Sequence, residues 1–280
     1  MIEHQEALEE KNRELAEANL TISATNRRMK CELEAAARIQ DSYLPRNLPD
    51  FTQAQFAWRF EPCEELSGDS FNILPLGQNK FGIYVADVSG HGVASSLLSV
   101  QLSRLLTQTD QPDSLLRLQT GDESSLCPPP SVAAHLNQLF PLDHEQIQYF
   151  TFLYGILDLD VRVFCYTSAG HSGPILIRPG GPQIQPPSPP AIGFFPDARF
   201  TETRLDLKAG DRFYLYTDGV FETCNAQGEQ VGENRIASLL AGLRTAPLDS
   251  GLSHVVKEVH DWAGGGALAD DLSLVAVEVG

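Results

Sequence analysis

Four apolar segments of this chain begin or end at an aspartate that has a glycine or a second aspartate close to it. A carboxylate at the end of a strand lies at the edge of a sheet, where acids from distant segments can converge. This pattern therefore predicts a sheet-based fold with an acidic site at one edge. The motifs are SGDSF (67–71), ADVSGHG (86–92), YTDGV (216–220) and ADDLS (269–273), which contribute Asp69, Asp87, Asp218 and the pair Asp270 and Asp271.

The chemistry of such a cluster indicates a metal site. Carboxylates gathered in one place repel one another unless a cation neutralises them, and a set of oxygen ligands suits Mg²⁺ or Mn²⁺. Glycines beside the acids allow backbone carbonyls and water to approach closely. Two ions a few ångströms apart would hold a water, lower its pKa and bind phosphoryl oxygens. Taken singly, each aspartate is better explained as a turn former or helix N-cap, so only the ordered set favours this interpretation.

Strand and helix patterns alternate between these motifs. The run KFGIYVADV is nearly all apolar, as in a strand buried on both faces. Strands in clusters with helices between them predict a layered α/β fold with much antiparallel sheet. Stretches 109–130 and 179–196 are expected to be irregular. The predicted strands are 80–88, 149–159, 161–171, 174–181, 212–219 and 272–279, and the predicted helices are 93–108, 131–140, 234–244 and 250–263.

Residues 1–45 differ in kind, because they contain no glycine and their first proline is Pro45. Their heptad pattern is typical of a parallel two-stranded coiled coil, in which a buried Asn fixes the register. A single solvated helix is the alternative. We expect residues 1–45 to form a dimerising and signalling helix, and residues 46–280 to form a separate catalytic domain. The d positions are Leu8, Leu15, Ile22, Met29, Ala36 and Tyr43, and the a positions are Gln5, Asn12, Asn19, Asn26, Leu33 and Gln40.

Charge and composition limit the partners and the compartment. The formal net charge of −17 argues against nucleic acid, because a polyanion binds patches of Lys and Arg. No apolar run approaches the ~20 residues that span a bilayer, and the polar N-terminus is not that of a signal peptide. The five cysteines form no C-x-x-C pair, which predicts free thiols in the cytoplasm. An upstream sensor domain in a longer chain is compatible with this composition.

The ordered motifs resemble those of the bacterial SpoIIE-type branch of the metal-dependent (PPM, type 2C) serine/threonine protein phosphatases. The resemblance runs from about Ala37 to the C-terminus. It implies an α-β-β-α sandwich of two largely antiparallel sheets flanked by helices, with a dinuclear Mn²⁺ or Mg²⁺ site at one end of the sheets. The motifs that carry it are AARIQDSYLP, SGDSF, DVSGHGVAS, FTFLYGILD, SAGHSGP, YTDGVFE, NAQGEQVG and ADDLSLV.

The resemblance also implies roles for single residues. Asp87 matches the acid that bridges the two ions, and the carbonyl of Val88 matches a further ligand. Asp69 matches an acid that typically acts through metal-bound water. The motif YTDG carries a ligand role over to Asp218.

Other positions are less uniform. In ADDLS, Asp270 fits the ligand position better than Asp271. Asn72 replaces a second acid that the family often has, which predicts a lower metal affinity. His171 stands where many eukaryotic relatives hold a third metal with an acid, so a third metal is not expected here. We expect His171 to be a structural hydrogen-bonder and not a catalytic residue. His91 is a candidate general acid for the leaving serine oxygen, or else a residue that packs within its turn.

Three other functions have partial support in the sequence. The motif AGHSGP has Pro174 where a serine-hydrolase elbow needs glycine. The motif SGHGVAS lacks the G-K-[ST] ending of a P-loop. A non-enzymatic scaffold that docks a partner through a coiled-coil dimer stays open, and Asn72 supports it. The retained aspartates argue against it, because a scaffold has no need of mutually repelling acids.

We therefore predict a protein-serine/threonine phosphatase that uses two Mn²⁺ or Mg²⁺ ions, with Asp87, Asp218 and His91 as catalytic residues. The resemblance implies direct attack by metal-bound hydroxide, without a phospho-enzyme. It also implies a substrate in bacterial signalling, a phosphorylated STAS-type anti-sigma-factor antagonist or a similar switch protein. Neither nucleic acid nor a membrane is an expected partner of this chain.

Overall fold

The computed structural model describes residues 2–45, 48, 53–90, 92–108, 114–120, 123–142 and 149–280. The helices are α1 (Ile2–Asp41), α2 (Val93–Thr107), α3 (Pro129–Leu139), α4 (Glu233–Gly242) and α5 (Leu248–Trp262). The strands are β1 (Ala54–Glu61), β2 (Asp69–Gly77), β3 (Lys80–Val88), β4 (Arg117–Thr120), β5 (Glu123–Leu126), β6 (Phe150–Asp158), β7 (Val163–Ala169), β8 (Ile175–Arg178), β9 (Gly181–Ile184), β10 (Thr203–Asp206), β11 (Arg212–Tyr216) and β12 (Leu272–Val279).

Two five-stranded sheets form the centre of the molecule. The strand order is β1-β12-β11-β8-β9 in the first sheet and β10-β7-β6-β3-β2 in the second. The strands within each sheet pair antiparallel. Helices α4 and α5 cover the outer face of the first sheet, and α2 and α3 cover the outer face of the second. The predicted α-β-β-α sandwich is thereby confirmed.

The alternation of side chains along β3 shows how the core positions the acids. Ile83 and Val85 lie in the apolar layer between the two sheets. Tyr84 and Ala86 face the layer beneath α2 and α3. Because side chains alternate along a strand, Asp87 shares the inter-sheet face with Val85. Asp87 therefore lies at the end of the central layer and not on an outer surface.

Most of the predicted elements form where the patterns place them. The four predicted core helices are present, and their ends differ from prediction by less than a helical turn. The predicted strand 174–181 is instead the hairpin β8–β9, because the chain reverses at Pro179 and Gly180, and Gly181 has a φ of +105°. The stretch 109–130, expected to be irregular, contains the hairpin β4–β5, whose strands are too short and polar to show a pattern.

Helix α1 is a single helix of 40 residues, about 60 Å long at 1.5 Å per residue. The predicted d positions Leu15, Ile22 and Met29 are 60%, 56% and 55% exposed in the single chain. Gln40, the last predicted a position, is instead buried and hydrogen-bonded to Ser67 and to Ser99 of α2. The coiled coil and the dimer stay predictions.

All five cysteines are free thiols, as predicted. Within the described part of the chain, every helix is either too short or too polar to cross a bilayer.

Candidate metal centre

The predicted acids meet because antiparallel neighbours share strand ends. Asp69, which begins β2, is paired in register with Asp87 near the end of β3. Asp218 follows β11, while Asp270 and Asp271 precede β12, the antiparallel neighbour of β11. Each sheet therefore contributes acids from two strands to one of its edges.

Asp69 connects the two sheets at this edge. Its Oδ2 accepts hydrogen bonds of 2.7 Å from Thr217 Oγ1 and 2.6 Å from Ser273 Oγ, both in the opposite sheet. Burial raises the pKa of Asp69 well above its ordinary value, and the charges of Asp87 and Asp271 raise it further, against the effect of the two hydroxyls. The acidic edges of both sheets thus lie at the same end of the sandwich.

A cavity of about 290 Å³ opens at this end, and four of the five predicted ligand residues line it. The fifth, Asp69, is buried and is not among the lining residues. A second hollow of about 190 Å³ shares Asp87, Thr151 and Asp218 with the first and adds His171 and Glu222. The residues of the first cavity are Asp87, Val88, Ser89, Gly90, Tyr149, Thr151, Asp218, Ala269 and Asp270.

The electrostatics of the cavity favour a cation. Burial, followed by the charges of Asp218 and Asp270, raises the pKa of Asp87 to about 7. Burial, followed by Asp270 and Glu222, raises the pKa of Asp218 to about 6. A divalent cation would relieve this repulsion, and carboxylates with a backbone carbonyl form the all-oxygen donor set that suits Mg²⁺ or Mn²⁺. The residues present therefore fit the metal that the sequence predicts.

The two acids of ADDLS have different surroundings. Asp271 is buried, and its carboxylate accepts three hydrogen bonds, from Cys63 N (2.8 Å), Ser67 Oγ (2.7 Å) and Gly68 N (2.8 Å). Asp270 is exposed and lines the cavity. Asp271 therefore holds the 63–68 segment in place, and Asp270 is the acid that faces the cavity.

Two glycines are required at the centre by close backbone contacts. A Cβ on Gly68 would lie 2.9 Å from the Val88 carbonyl oxygen, and one on Gly219 would lie 2.1 Å from the carbonyl oxygen of Asp271. The Asp-Gly pair at 218–219 thus lets the segment before β12 approach the end of β11. This is the close approach that the sequence predicts for these glycines.

Asn72 lies away from the cavity. It stands on the opposite face of β2 from the layer that contains Phe71, and its Nδ2 donates a 2.5 Å hydrogen bond to the carbonyl of Tyr43. Its Oδ1 accepts a hydrogen bond from the backbone N–H of Ile73. Asn72 therefore ties β2 to the segment after α1, and it does not line either hollow.

The structure describes one of the two candidate histidines, His171. His171 is buried, its Nδ1 lies 2.7 Å from Thr151 Oγ1, and burial lowers its pKa to about 4. A neutral, hydrogen-bonded imidazole agrees with the expected structural role. His91 lies outside the described residues.

Three residues that lie close to the acids are not among the predicted site residues: Glu222, Cys63 and Thr217. Glu222 follows Asp218 by four positions and donates its backbone N–H to the Asp218 carbonyl, so the spacing of one helical turn was an available signal. Cys63 Sγ lies within 4.8 Å of carboxylate oxygens of Asp270 and Asp271. Thr217 left no signal, since it is 148 positions away from Asp69.

The last turn of α1 contacts the same network through Gln40. Its Nε2 donates to the Ser67 carbonyl (2.6 Å) and to Ser99 Oγ of α2 (2.8 Å), and its Oε1 accepts from Ser67 N (3.1 Å). Ser67 Oγ accepts a hydrogen bond from Asp69 N and donates one to Asp271. One residue, Ser67, therefore lies between the N-terminal helix and two acids of the centre.

Comparisons with known proteins agree with this geometry. A family model described as "Stage II sporulation protein E (SpoIIE)" matches residues 77–280. The phosphoserine phosphatase RsbP of Bacillus subtilis (strain 168) is 31% identical over 199 residues, which cover 69% of this chain and 46% of RsbP. The chain spans about half the length of the curated relatives it matches, from 41% to 58%.

Solved structures show the same fold. The SiaA-PP2C domain of Pseudomonas aeruginosa has a TM-score of 0.76 at 19% identity, and the alignment covers 92% of this chain and 99% of that domain. The structure of the PP2C phosphatase domain and a regulatory fragment of SpoIIE from Bacillus subtilis has a TM-score of 0.68 at 19% identity, covering 82% of this chain and 64% of that one. With its sandwich, its acidic edge and its match to the family model, the chain belongs to the SpoIIE family, a bacterial branch of the metal-dependent (PPM, type 2C) protein phosphatases.

Proposed function

We propose that this chain hydrolyses phosphoserine or phosphothreonine in a protein and depends on Mn²⁺ or Mg²⁺. The observation that carries the proposal is the single cavity at which Asp87, Asp218 and Asp270 meet from three separate segments. Asp87 and Asp218 have raised pKa values there, which is typical of a functional site. The relative RsbP, named a phosphoserine phosphatase, supports the class of substrate.

Two ions would be held by Asp87, Asp218, Asp270 and the carbonyl of Val88. When bound, they would lower the pKa of water and neutralise the charge of a phosphoryl group. Asp69 would act from behind this set, where two hydroxyls fix its orientation. We expect no phosphorylated enzyme side chain.

The leaving serine or threonine oxygen needs a proton, and we propose His91 as its donor. His171 would be a positioning residue, since its ring holds Thr151, the cross-strand partner of Asp87. Replacing His91 with alanine should lower kcat on alkyl phosphates much more than on an aryl phosphate, whose leaving group needs little protonation. An equal loss on both substrates would contradict the acid role.

The substrate we propose is a phosphorylated STAS-type anti-sigma-factor antagonist, or a similar small switch protein, in the bacterial cytoplasm. An Asp218→Asn variant should bind this substrate without turning it over, because it removes one ligand and leaves the rest of the cavity in place. Capture of a phosphoprotein by this variant, compared with Asp87→Asn and wild type, would identify the substrate. Equal capture of the dephosphorylated form would argue against the proposal.

We further propose that residues 1–45 pair with a second copy and relay the state of an upstream sensor. The contact that supports this is Gln40, which links the end of α1 to Ser67 and thereby to the backbone of Asp69. A change in the register of the coil would move Gln40 relative to the metal centre. Insertion of one residue after Ala36 should therefore change activity, and several such insertions without effect would count against the relay.

The deciding experiment measures hydrolysis of p-nitrophenyl phosphate with and without Mn²⁺. Wild type should be active with Mn²⁺ and inactive in EDTA, and Asp87→Ala should be inactive in both. Activity that survives EDTA would exclude the metal mechanism. A folded wild-type protein that binds Mn²⁺ and hydrolyses nothing would favour the scaffold function.

A further inference from the structure

Two large aromatic side chains lie exposed beside the acidic cavity. Phe194 and Phe195 are 45% and 55% exposed, and their ring centroids lie 5.3 Å apart. Phe194 also packs edge-on against Tyr149, with centroids 5.5 Å apart, and Tyr149 lines the cavity. We call Tyr149, Phe194 and Phe195 the aromatic ledge. It runs without interruption from the cavity wall to the outer surface.

The outer end of the aromatic ledge has a fixed backbone. The side chain of Asn137, which is buried, donates from Nδ2 to the carbonyls of Phe195 (2.9 Å) and Pro196 (3.3 Å). Its Oδ1 accepts a 2.8 Å hydrogen bond from Gly193 N. Gly193 has a φ of +88°, and a Cβ there would lie 2.6 Å from the Phe140 carbonyl oxygen. The exposure of the two rings is therefore a feature of a well-anchored turn.

The inner end is bonded to the segment that carries the proposed ligands. Ser89 N donates to the Tyr149 carbonyl (3.0 Å), and Tyr149 N donates to Ser89 Oγ (3.2 Å). Ser89 directly follows Val88, so these two bonds tie the inner end of the aromatic ledge to the segment of a proposed ligand. Contiguous exposed apolar side chains rimmed by polar residues are characteristic of interaction sites, and aromatic rings supply a large share of binding energy at such sites.

We propose that the aromatic ledge binds an apolar side chain of the substrate polypeptide, close in sequence to the phosphorylated residue. This inference rests on the proposed function, since the phosphate must occupy the cavity for the flanking chain to reach the rings. An extended chain advances about 3.4 Å per residue, so a side chain within about three positions of the phosphoresidue reaches Phe194 and Phe195. The carboxylate cavity recognises the phosphate through its ions, and the ledge supplies the sequence preference.

The test uses phosphoserine peptides in a Gly/Ser background, each with one Leu placed from three positions before to three positions after the phosphoserine. With Mn²⁺, wild type should dephosphorylate the best Leu peptide with a kcat/KM about ten-fold higher than that for the peptide without Leu, mostly because KM is lower. Phe195→Ala should lose this preference, and Phe195→Leu should keep most of it. The matched control is Val161→Ala, which removes an exposed apolar side chain beyond the opposite end of β6.

All variants should hydrolyse p-nitrophenyl phosphate within about two-fold of wild type, because that substrate does not reach the ledge. A wild type without any Leu preference would overturn the inference and leave the phosphatase function intact. A matching loss on p-nitrophenyl phosphate would also overturn it, since the rings would then support the cavity itself. A change in oligomeric state in Phe195→Ala would assign the ledge to a second copy and overturn it. Absence of Mn²⁺-dependent hydrolysis in wild type would defeat the proposed function, and this inference with it.

Discussion

The acids at the two ends of strand β3 have opposite surroundings: Asp158, on β6 beside the start of β3, faces a lysine, whereas Asp87, near the end of β3, faces other carboxylates. At one end, Lys80 Nζ lies 2.8 Å from Asp158 Oδ2 on the neighbouring strand. Partial burial opposes the ionisation of Asp158, but hydrogen bonds from Lys80 and the Val161 backbone outweigh it and lower its pKa. At the other end, burial and the charges of neighbouring carboxylates, Asp218 first among them, raise the pKa of Asp87 to about 7.

The difference separates structural acids from functional ones within one sheet. Among the described residues, no Lys or Arg forms an ion pair with Asp69, Asp87 or Asp218, although such pairs occur elsewhere on both sheets. A fold selected only for stability would pair these acids or replace them. Acids kept together without a protein cation therefore mark the place where a cation from outside is expected.

The largest loss of activity should follow the substitution of Asp87, the acid that faces other carboxylates. Asp87→Asn keeps the shape of the side chain but removes the negative charge of a carboxylate that we propose would hold the ions. Because even residues that merely orient a ligand change activity by about 10–100-fold, we expect the loss of kcat on p-nitrophenyl phosphate to exceed about 100-fold. Steady-state kinetics at saturating Mn²⁺ would measure it. A variant with more than a tenth of wild-type activity would break the distinction between the two ends.

The raised pKa of Asp87 should also make the stability of the metal-free protein depend on pH. In the metal-free folded state Asp87 keeps its proton up to about pH 7, whereas an unfolded Asp releases it near its ordinary pKa of 3.8. The native state thus binds more protons between these values, so the free energy of unfolding should fall as the pH rises through this window, by an amount on the order of a few kcal/mol.

Urea unfolding in EDTA at several pH values between about 4.5 and 8 would measure this slope. Asp87→Asn removes one titrating group and should make the slope shallower, while Asp69 and Asp218, whose pKa values are also raised, keep part of it. Added Mn²⁺ should stabilise wild type most at the alkaline end. A metal-free wild type that gains stability between pH 5 and 7 would contradict the repulsion on which the comparison depends.

The sequence predicts many of the elements that depend on local patterns, but β1 and β2, which are eight and nine residues long and rich in apolar residues, are not among the predicted strands. The strand at 80–88 and the amphipathic helices have periodicities that each segment shows by itself, and they form close to the predicted bounds. Strands β9 and β10 are short and polar, and their pairing with β8 and β7 depends on partners distant in the chain or on a turn. Such strands carry no local signal.

The candidate site shows the same limit. The acids can be predicted from the sequence because each stands in its own motif. The structure brings Asp87, Asp218 and Asp270 to one cavity. The hydroxyl groups that hold Asp69 cannot be predicted from the sequence, because Thr217 and Ser273 reach it only when the two sheets pack face to face. The ordered set of motifs therefore predicts which residues meet, and the packing of the two sheets shows which side chains hold them in place.

A smaller effect is expected where α1 touches the acidic end. Gln40→Ala removes three hydrogen bonds that hold Ser67 and Ser99. Ser67 supports the acids without lining the cavity, so we expect the Mn²⁺ concentration for half-maximal activity to rise about ten-fold, with a modest change in kcat. Glu34→Ala, an exposed site one turn and a half earlier on α1, is the matched control. Equal behaviour of the two variants would disconnect α1 from the metal centre.

The smallest effect should come from the paired end of β3. Asp158→Asn removes a charge that has a partner, and the side chains of Lys80 and Asp158 are 32% and 22% exposed. Ion pairs near the surface contribute about 0.2–1 kcal/mol, so the free energy of unfolding should fall by no more than about 1 kcal/mol. A double-mutant cycle with Lys80→Met would isolate the interaction energy of the pair.

Activity and the metal requirement of Asp158→Asn should stay at wild-type values, because Asp158 stands at the opposite end of β6 from Thr151, which lines the cavity. If Asp158→Asn impaired metal-dependent hydrolysis as strongly as Asp87→Asn, the position of an acid along the strand would not explain its function, and the contrast between the two ends would have to be abandoned.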